Sequence, residues 1–210
     1  MPRLAAGDKM PNFEFNTGYR TGVTLRGEWK GKIVLWVLRY IGCTVCRYDC
    51  KLIADRYDEF MKKDTKVFVL MQSDQEHIQN DMKNTNAWLP FEIISDPEMN
   101  IYKALDIKPA ESMEALIGDR MEDLKAKSAK VKEAGFVHGD YEGDEQQLPA
   151  MFIIDENGCD LCSLCRKSDG HAEYRRSACQ AVSRQSSISV KALKPVILRV
   201  LIYNDHVRRN

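Results

Sequence analysis

The sequence has no long apolar run. No window of its 210 residues reaches the roughly 18 uncharged apolar positions of a membrane span, so no contact with a membrane is expected. The first ten residues, MPRLAAGDKM, contain no apolar signal core. Secretion is therefore not expected, and the cytoplasm is the expected compartment. Neither charge is in excess: 31 Lys and Arg stand against 31 Asp and Glu, which argues against nucleic acid as a partner. A Gly-rich phosphate loop is missing, so a bound nucleotide has little support. There is no internal repeat and no low-complexity linker.

The neutral total is a cancellation. Residues 159–210 carry ten Lys or Arg and four Asp or Glu, a net of +6, which leaves −6 for residues 1–158. Four of the seven cysteines also fall in the tail: Cys159, Cys162, Cys165 and Cys179. This break in composition places a boundary at about Gly158. Residues 1–158 read as one domain, and 159–210 as an atypical basic, Cys-rich tail.

Lys32–Tyr40 (KIVLWVLRY) is nearly continuous in β-forming apolar residues, as expected of a central strand covered on both faces. Residues 44–63 switch to a helical period, with Ile53, Tyr57, Phe60 and Met61 on one stripe. Lys66–Met71 reads as a second buried strand. A helix around Glu76–Met82 follows, capped at Ser73–Asp74. Phe91–Ile94 is a short strand, Pro97–Leu105 a helix, and 112–134 a charged helix ending at Gly135. The polar stretch 138–147 leads to Leu148-Pro149, the strand Ala150–Ile154 and a turn at Asp155–Gly158. Strand–helix–strand order predicts an α/β fold with parallel central pairing.

The chemistry concentrates at Gly42-Cys43-Thr44-Val45-Cys46, where the buried strand passes into a helix. The first backbone N–H groups of a helix have no partner within it and, with the helix dipole, favour a thiolate. Cys43 is therefore expected to have a lowered pKa. A gap of two residues lets Cys46 close a disulfide with it across one turn. Arg39, four residues before Cys43, adds positive charge near the sulfur. Two buried structural thiols, or half of a zinc site, are the plainer alternatives. Zinc needs two further ligands, and residues 1–158 hold none at a matching spacing. Cys50, one turn beyond Cys46, fits a small core residue better than a third redox partner. The charged segment 110–147 is either a solvated helix beside the sheet or a lid over Cys43.

Four stretches together resemble the peroxiredoxin-like (AhpC/TSA, redoxin) branch of the thioredoxin superfamily. They are AAGDKMPNFEF, LWVLRYIGCTVCRYDC, QSDQEHI and QLPAMFIIDENG, and the resemblance covers residues 6–158. It implies a thioredoxin-like fold: a central mixed β-sheet flanked by helices. It implies reduction of hydroperoxides by a cysteine thiolate, with the resulting disulfide reduced by a thioredoxin-type donor. No cofactor or metal is required, and a homodimer is compatible with it. The catalytic set carried over is Cys43, Cys46, Arg39 and Thr44, with Cys43 attacking and Cys46 resolving by the thioredoxin pattern. A cis-proline loop at Leu148-Pro149, together with Tyr40, is expected to shape the substrate groove. The sequence departs from the family's Pro-x-x-x-Thr-x-x-Cys. Aligned on Cys46, it has Arg39 at the Pro position and Cys43 at the Thr position; aligned on Cys43, it has Trp36 and Tyr40 there, so neither alignment restores the motif. A thiol–disulfide oxidoreductase acting on protein disulfides is therefore the rival reading, and a structural thioredoxin-fold interaction module a further one.

The tail admits two readings. Cys159-x-x-Cys162-x-x-Cys165 with Cys179 resembles an iron–sulfur run, and a zinc site using His171 can also be drawn, which would make this a metal-binding protein. The fold implied by the resemblance should instead continue after the turn with a strand and a closing helix, a pattern the tail does not show. Skipping the first base of codon 159 allows residues 159–181 to encode VIYAHYAGNLMDMPSIEEVLAKL, a strand and a capped helix. Residues 159–210 are then an out-of-frame reading, their cysteines accidental, and the apolar segment 194–203 exposed. Sequencing the DNA across codons 155–185 tests this directly: codons that permit the string are expected, and codons that forbid it return the tail to a metal site.

Overall fold

Residues 32–37, KIVLWV, are buried at every position after the first because both faces of the strand they form are covered. The computed structural model describes residues 4, 7–85, 88–118, 121–166, 172–176, 193, 195 and 197, with 160–166 and 172–176 as backbone. The described strands are β1 (Glu14–Thr17), β2 (Val23–Thr24), β3 (Lys32–Val37), β4 (Thr65–Met71), β5 (Glu92–Ser95), β6 (Ala150–Ile154), β7 (Asp160–Arg166) and β8 (Ala172–Arg176). The helices are α1 (Leu25–Glu28), α2 (Thr44–Ala54), α3 (Tyr57–Met61), α4 (Gln75–Asn84), α5 (Asn100–Ala104), α6 (Met113–Ile117) and α7 (Met121–Glu133). None is long and apolar enough to cross a membrane.

The strands form one mixed sheet in the order β2-β1-β5-β4-β3-β6-β7-β8. β3 pairs parallel with β4 and antiparallel with β6, and β4 pairs parallel with β5. Side chains alternate between two cores, as a pleated strand requires. Val34 and Trp36, with Val67, Val69, Met151 and Ile153, face α2, α3, α4 and α7. Ile33, Leu35 and Val37, with Phe68, Leu70 and Phe152, face the N-terminal strands and α5. This is the thioredoxin-like sandwich that the resemblance implied.

Local breaks refine the expected elements. The single helix expected over 44–63 is two: α2 ends as the Asp55 N–H bonds the Lys51 carbonyl, and α3 restarts at Tyr57. Ile53 and Phe60 still share one core. The helix expected over 112–134 is interrupted at Gly118, whose φ of +58° lies in the left-handed region open to glycine. α4 is capped as expected, the Asp74 carboxylate accepting from the His77 N–H at 2.8 Å.

The tail differs from its reading. The sequence shows no strand after the Asp155–Gly158 turn, yet β7 follows directly and pairs antiparallel with β6, placing Cys165 opposite Ala150 and Cys162 opposite Ile153. β6 leaves an edge of unpaired backbone groups that any following segment able to extend will satisfy. An iron–sulfur or zinc run needs a turn between its cysteines, whereas Cys162 and Cys165 lie in extended strand. Among the described residues no three His, Cys, Asp or Glu are placed to hold a metal ion. Leu193 and Ile197, four apart, are buried in the core that faces α2, so Ile197 is not in an exposed apolar segment. His171, Cys179 and the remainder of 194–203 apart from Pro195 lie outside the described residues.

A buried ion pair ties α7 to α2. Lys127 of α7 donates to the Asp49 carboxylate of α2 at 2.7 Å, both side chains being more than nine-tenths buried. Removing one member of such a pair leaves a buried charge and costs about 3–5 kcal/mol. Lys127→Met is expected to lose about that much in urea unfolding, and Asp49→Asn combined with Lys127→Met to recover much of it.

Candidate active site

β3 ends at Val37, and its bonding to the β4 side runs on through the Leu38 N–H to the Leu70 carbonyl and the Gln72 N–H to the Arg39 carbonyl. The Tyr40 carbonyl accepts from the Cys43 N–H at 3.3 Å, closing a turn, and Cys43 becomes the N-cap of α2. Its sulfur takes the place of the usual capping oxygen and accepts from the Cys46 N–H at 3.4 Å. Arg39 reaches the same sulfur, its Nη2 donating at 2.9 Å. Cys43 is 1% exposed, and Cys46 and Cys50 are buried with it.

These contacts separate the two thiols electrically. A hydrogen bond from the Cys46 thiol, then the charge of Arg39 and the Cys46 amide, outweigh burial and hold Cys43 at about 5, against an ordinary 9.0. The Cys46 thiol is pushed well up by that same bond, by burial and by the Cys43 charge. Cys50 is raised chiefly by burial, as a core thiol should be. The arrangement provides one thiolate, one neutral thiol three residues away and a fixed cation, which is what attack followed by disulfide closure requires.

A loop over residues 136–147 covers this centre. The Gly139 N–H bonds the Gly42 carbonyl at 2.9 Å, and a Cβ at Gly42 would overlap the Asp140 carbonyl. Arg47 holds the near end, donating from Nε to the Ile41 carbonyl at 2.8 Å and from Nη1 to the Val137 carbonyl at 2.5 Å, while pairing with Asp81. Gln72 holds the far end through a two-way bond to the Asp144 backbone. The Glu142 side chain is wedged beneath, only 10% exposed, and burial pushes its carboxyl up. Of the two readings of segment 110–147, this stretch takes the lid, while α7 lies beside α2.

The expected residues are largely, though not wholly, brought together. Cys43, Cys46 and Arg39 converge. Thr44 opens α2 and is half-buried. Tyr40 is fully buried, its hydroxyl donating to the Glu145 carboxylate with His138 Nε2 at 3.3 Å, so it braces the loop instead of lining an open groove. Leu148 is buried, and half-buried Pro149 enters β6 at the sheet end where β3 stops, since Ala150 pairs with Val37. The cis-proline expectation is not met: there is no cis peptide bond among the described residues. An X–Pro bond prefers the trans form by about 0.5–1 kcal/mol, and Gln147 just before it bridges to Pro109 and bonds the Lys108 and Leu148 carbonyls. Glu145, His138, Arg47 and Gly139 were not singled out from sequence. The only available signal was a glycine-bearing polar stretch, and nothing in it points to partners a hundred residues away.

One family model, that of the AhpC/TSA family, matches residues 6–159, a span that takes in the dithiol at the strand–helix joint. The chain belongs to the AhpC/TSA family. No curated protein matches the sequence. Among solved structures, this AhpC/TSA chain is similar to peroxidoxin BcpB from Mycobacterium tuberculosis at 12% identity and a TM-score of 0.58, over 92% of this chain and 98% of that one. A variant of PrxQ from Xylella fastidiosa aligns at 12% identity and a TM-score of 0.57, covering 93% and 98%. A variant of peroxiredoxin 6 from Arenicola marina aligns at 13% identity and a TM-score of 0.58, covering 90% and 72%. At these identities the likeness is one of fold.

The site makes a direct prediction. Alkylation of Cys43 in reduced protein by iodoacetamide, followed site by site, should rise with pH about a midpoint near 5, and that low-pH component should disappear in Cys43→Ser. The folded value is depressed, so the stabilisation it represents is present above about pH 9 and is lost as pH falls toward 5. Reduced protein should therefore melt higher at pH 8 than at pH 5 by more than Cys43→Ser does.

Proposed function

We propose that this chain is a thiol-dependent peroxidase that cycles its Cys43–Cys46 pair. The observation that carries the reading is the Cys43 sulfur, held between the Arg39 guanidinium and the N-terminus of α2. The thiolate attacks one peroxide oxygen. A sulfur–oxygen bond forms and the oxygen–oxygen bond breaks. Cys43 becomes a sulfenic acid, and the alkoxide or hydroxide leaving group takes up a proton to depart as alcohol or water. Arg39 stays with the developing negative charge throughout. The Cys46 thiol then attacks the sulfenic sulfur. The disulfide forms, and the sulfenic hydroxyl leaves as water with the Cys46 proton. A dithiol donor of the thioredoxin type returns the pair to the reduced state by exchange.

Burial supports a small substrate. Cys43 is 1% exposed beneath the loop, which suits a hydroperoxide better than a disulfide on a folded protein. The second reading, a thiol–disulfide oxidoreductase, draws on the Cys43-x-x-Cys46 dithiol itself and on the family's Pro-x-x-x-Thr-x-x-Cys pattern, which neither cysteine restores. The two readings part in a paired assay. The peroxidase reading expects hydrogen peroxide or cumene hydroperoxide to be consumed with thioredoxin and its reductase as donor, with insulin disulfides reduced no faster than in Cys43→Ser. Rapid insulin reduction without peroxide consumption contradicts it.

A further inference from the structure

Arg39 is held from two sides, and one of them is the loop. Its Nη2 donates to the Cys43 sulfur at 2.9 Å, while its Nη1 donates to the Glu145 backbone carbonyl at 2.6 Å and lies 3.6 Å from the Glu145 carboxylate. The Glu145 carboxylate is in turn the acceptor for the buried Tyr40 hydroxyl. Tyr40 belongs to the turn that carries Cys43, whereas Glu145 belongs to the covering loop. His138, from the same loop, packs edge-on against the Tyr40 ring at 6.0 Å and places its Nε2 3.3 Å from the hydroxyl. Its other nitrogen, Nδ1, is 2.7 Å from the Gly139 carbonyl, which fixes the ring. In this arrangement the guanidinium is held between the sulfur and Glu145, and the Tyr40 hydroxyl holds the Glu145 carboxylate from the turn that carries Cys43.

We propose that Tyr40 and Glu145 are positioning residues that lock the 136–147 loop onto Arg39, so that the guanidinium is set on the Cys43 sulfur only while the loop is shut. Closure over the thiol and activation of the thiol are then one event. Opening the loop to admit the reductant releases Arg39 from its Glu145 anchor and lets the thiolate become less stable. The inference rests on the reading of Cys43 as the nucleophile.

The test is the pH profile of Cys43 alkylation by iodoacetamide in reduced wild type, Tyr40→Phe and Glu145→Ala, with the melting temperature of each recorded. Tyr40→Phe removes one hydroxyl and keeps the ring. Glu145→Ala removes the carboxylate and keeps the backbone carbonyl. Both variants are expected to move the midpoint up by about one pH unit, the lower end of what a displaced opposite charge does, and to raise the plateau rate as the loop loosens. Glu145→Gln, which can still accept from Tyr40, is expected to fall between Glu145→Ala and wild type. A loop that merely shields the thiol would raise the plateau and lower the melting temperature without moving the midpoint, and that result overturns the proposal. A wild-type midpoint near the ordinary thiol value overturns instead the assignment of Cys43 as the activated nucleophile, so the two failures are distinguishable.

Discussion

The contact between the Arg39 guanidinium and the Cys43 sulfur is the interaction on which the rest of the site depends. A thiolate withdrawn from water is costly unless charge and donors replace the lost solvent. The chain supplies a cation from the end of β3, an amide from the first turn of α2 and a thiol from Cys46. Each donor is where the fold puts it. β3 is central and buried on both faces, so its end is rigid. α2 begins within a few residues of that end, so its free N–H groups face the sulfur. The two thiols share one helix start but not one environment, because the charge that settles on Cys43 is what keeps the Cys46 proton in place.

Covering this centre sets a second constraint. The 136–147 loop must approach the backbone of the Cys43 turn closely, and glycine at positions 42 and 139 makes that approach sterically open. Most of its anchors come from the site segment itself: the Gly42 carbonyl, Arg39, Tyr40 and Arg47. The loop therefore does more than exclude water. It is bonded to the residues that prepare the sulfur, while the buried Lys127–Asp49 pair independently holds α7 against the helix that carries both thiols.

Much of this was legible in the sequence, and the reasons are local. IVLWV reads as a doubly covered strand because apolar residues at every position from 33 to 37 leave no solvent face. Cys43-x-x-Cys46 at a strand–helix joint reads as redox chemistry because helix starts stabilise anions, and Arg39 is close enough along the chain to be noticed. What stayed hidden is carried by contacts of long sequence separation. Glu145 meets Tyr40 across 105 residues and His138 meets it across 98, with no periodicity to announce either. The helix breaks at Asp55 and Gly118 fall inside stretches whose helical pattern runs on past them. The tail shows the opposite failure. Its pattern shows no strand after the Asp155–Gly158 turn, yet the backbone at Cys162 and Cys165 pairs with β6 as a strand. Pro149 suggested a cis turn, whereas no cis peptide bond occurs among the described residues.

The central claim is that Cys43 attacks and Cys46 resolves. It is tested most directly by titrating the thiols of reduced wild type, Cys43→Ser and Cys46→Ser with one equivalent of hydroperoxide and identifying the products by mass spectrometry. The account predicts a Cys43–Cys46 disulfide in wild type, a dimedone-trappable sulfenic acid on Cys43 in Cys46→Ser, and no peroxide-driven thiol loss in Cys43→Ser. A sulfenic acid on Cys46 in Cys43→Ser, with Cys46→Ser unreactive, would contradict it.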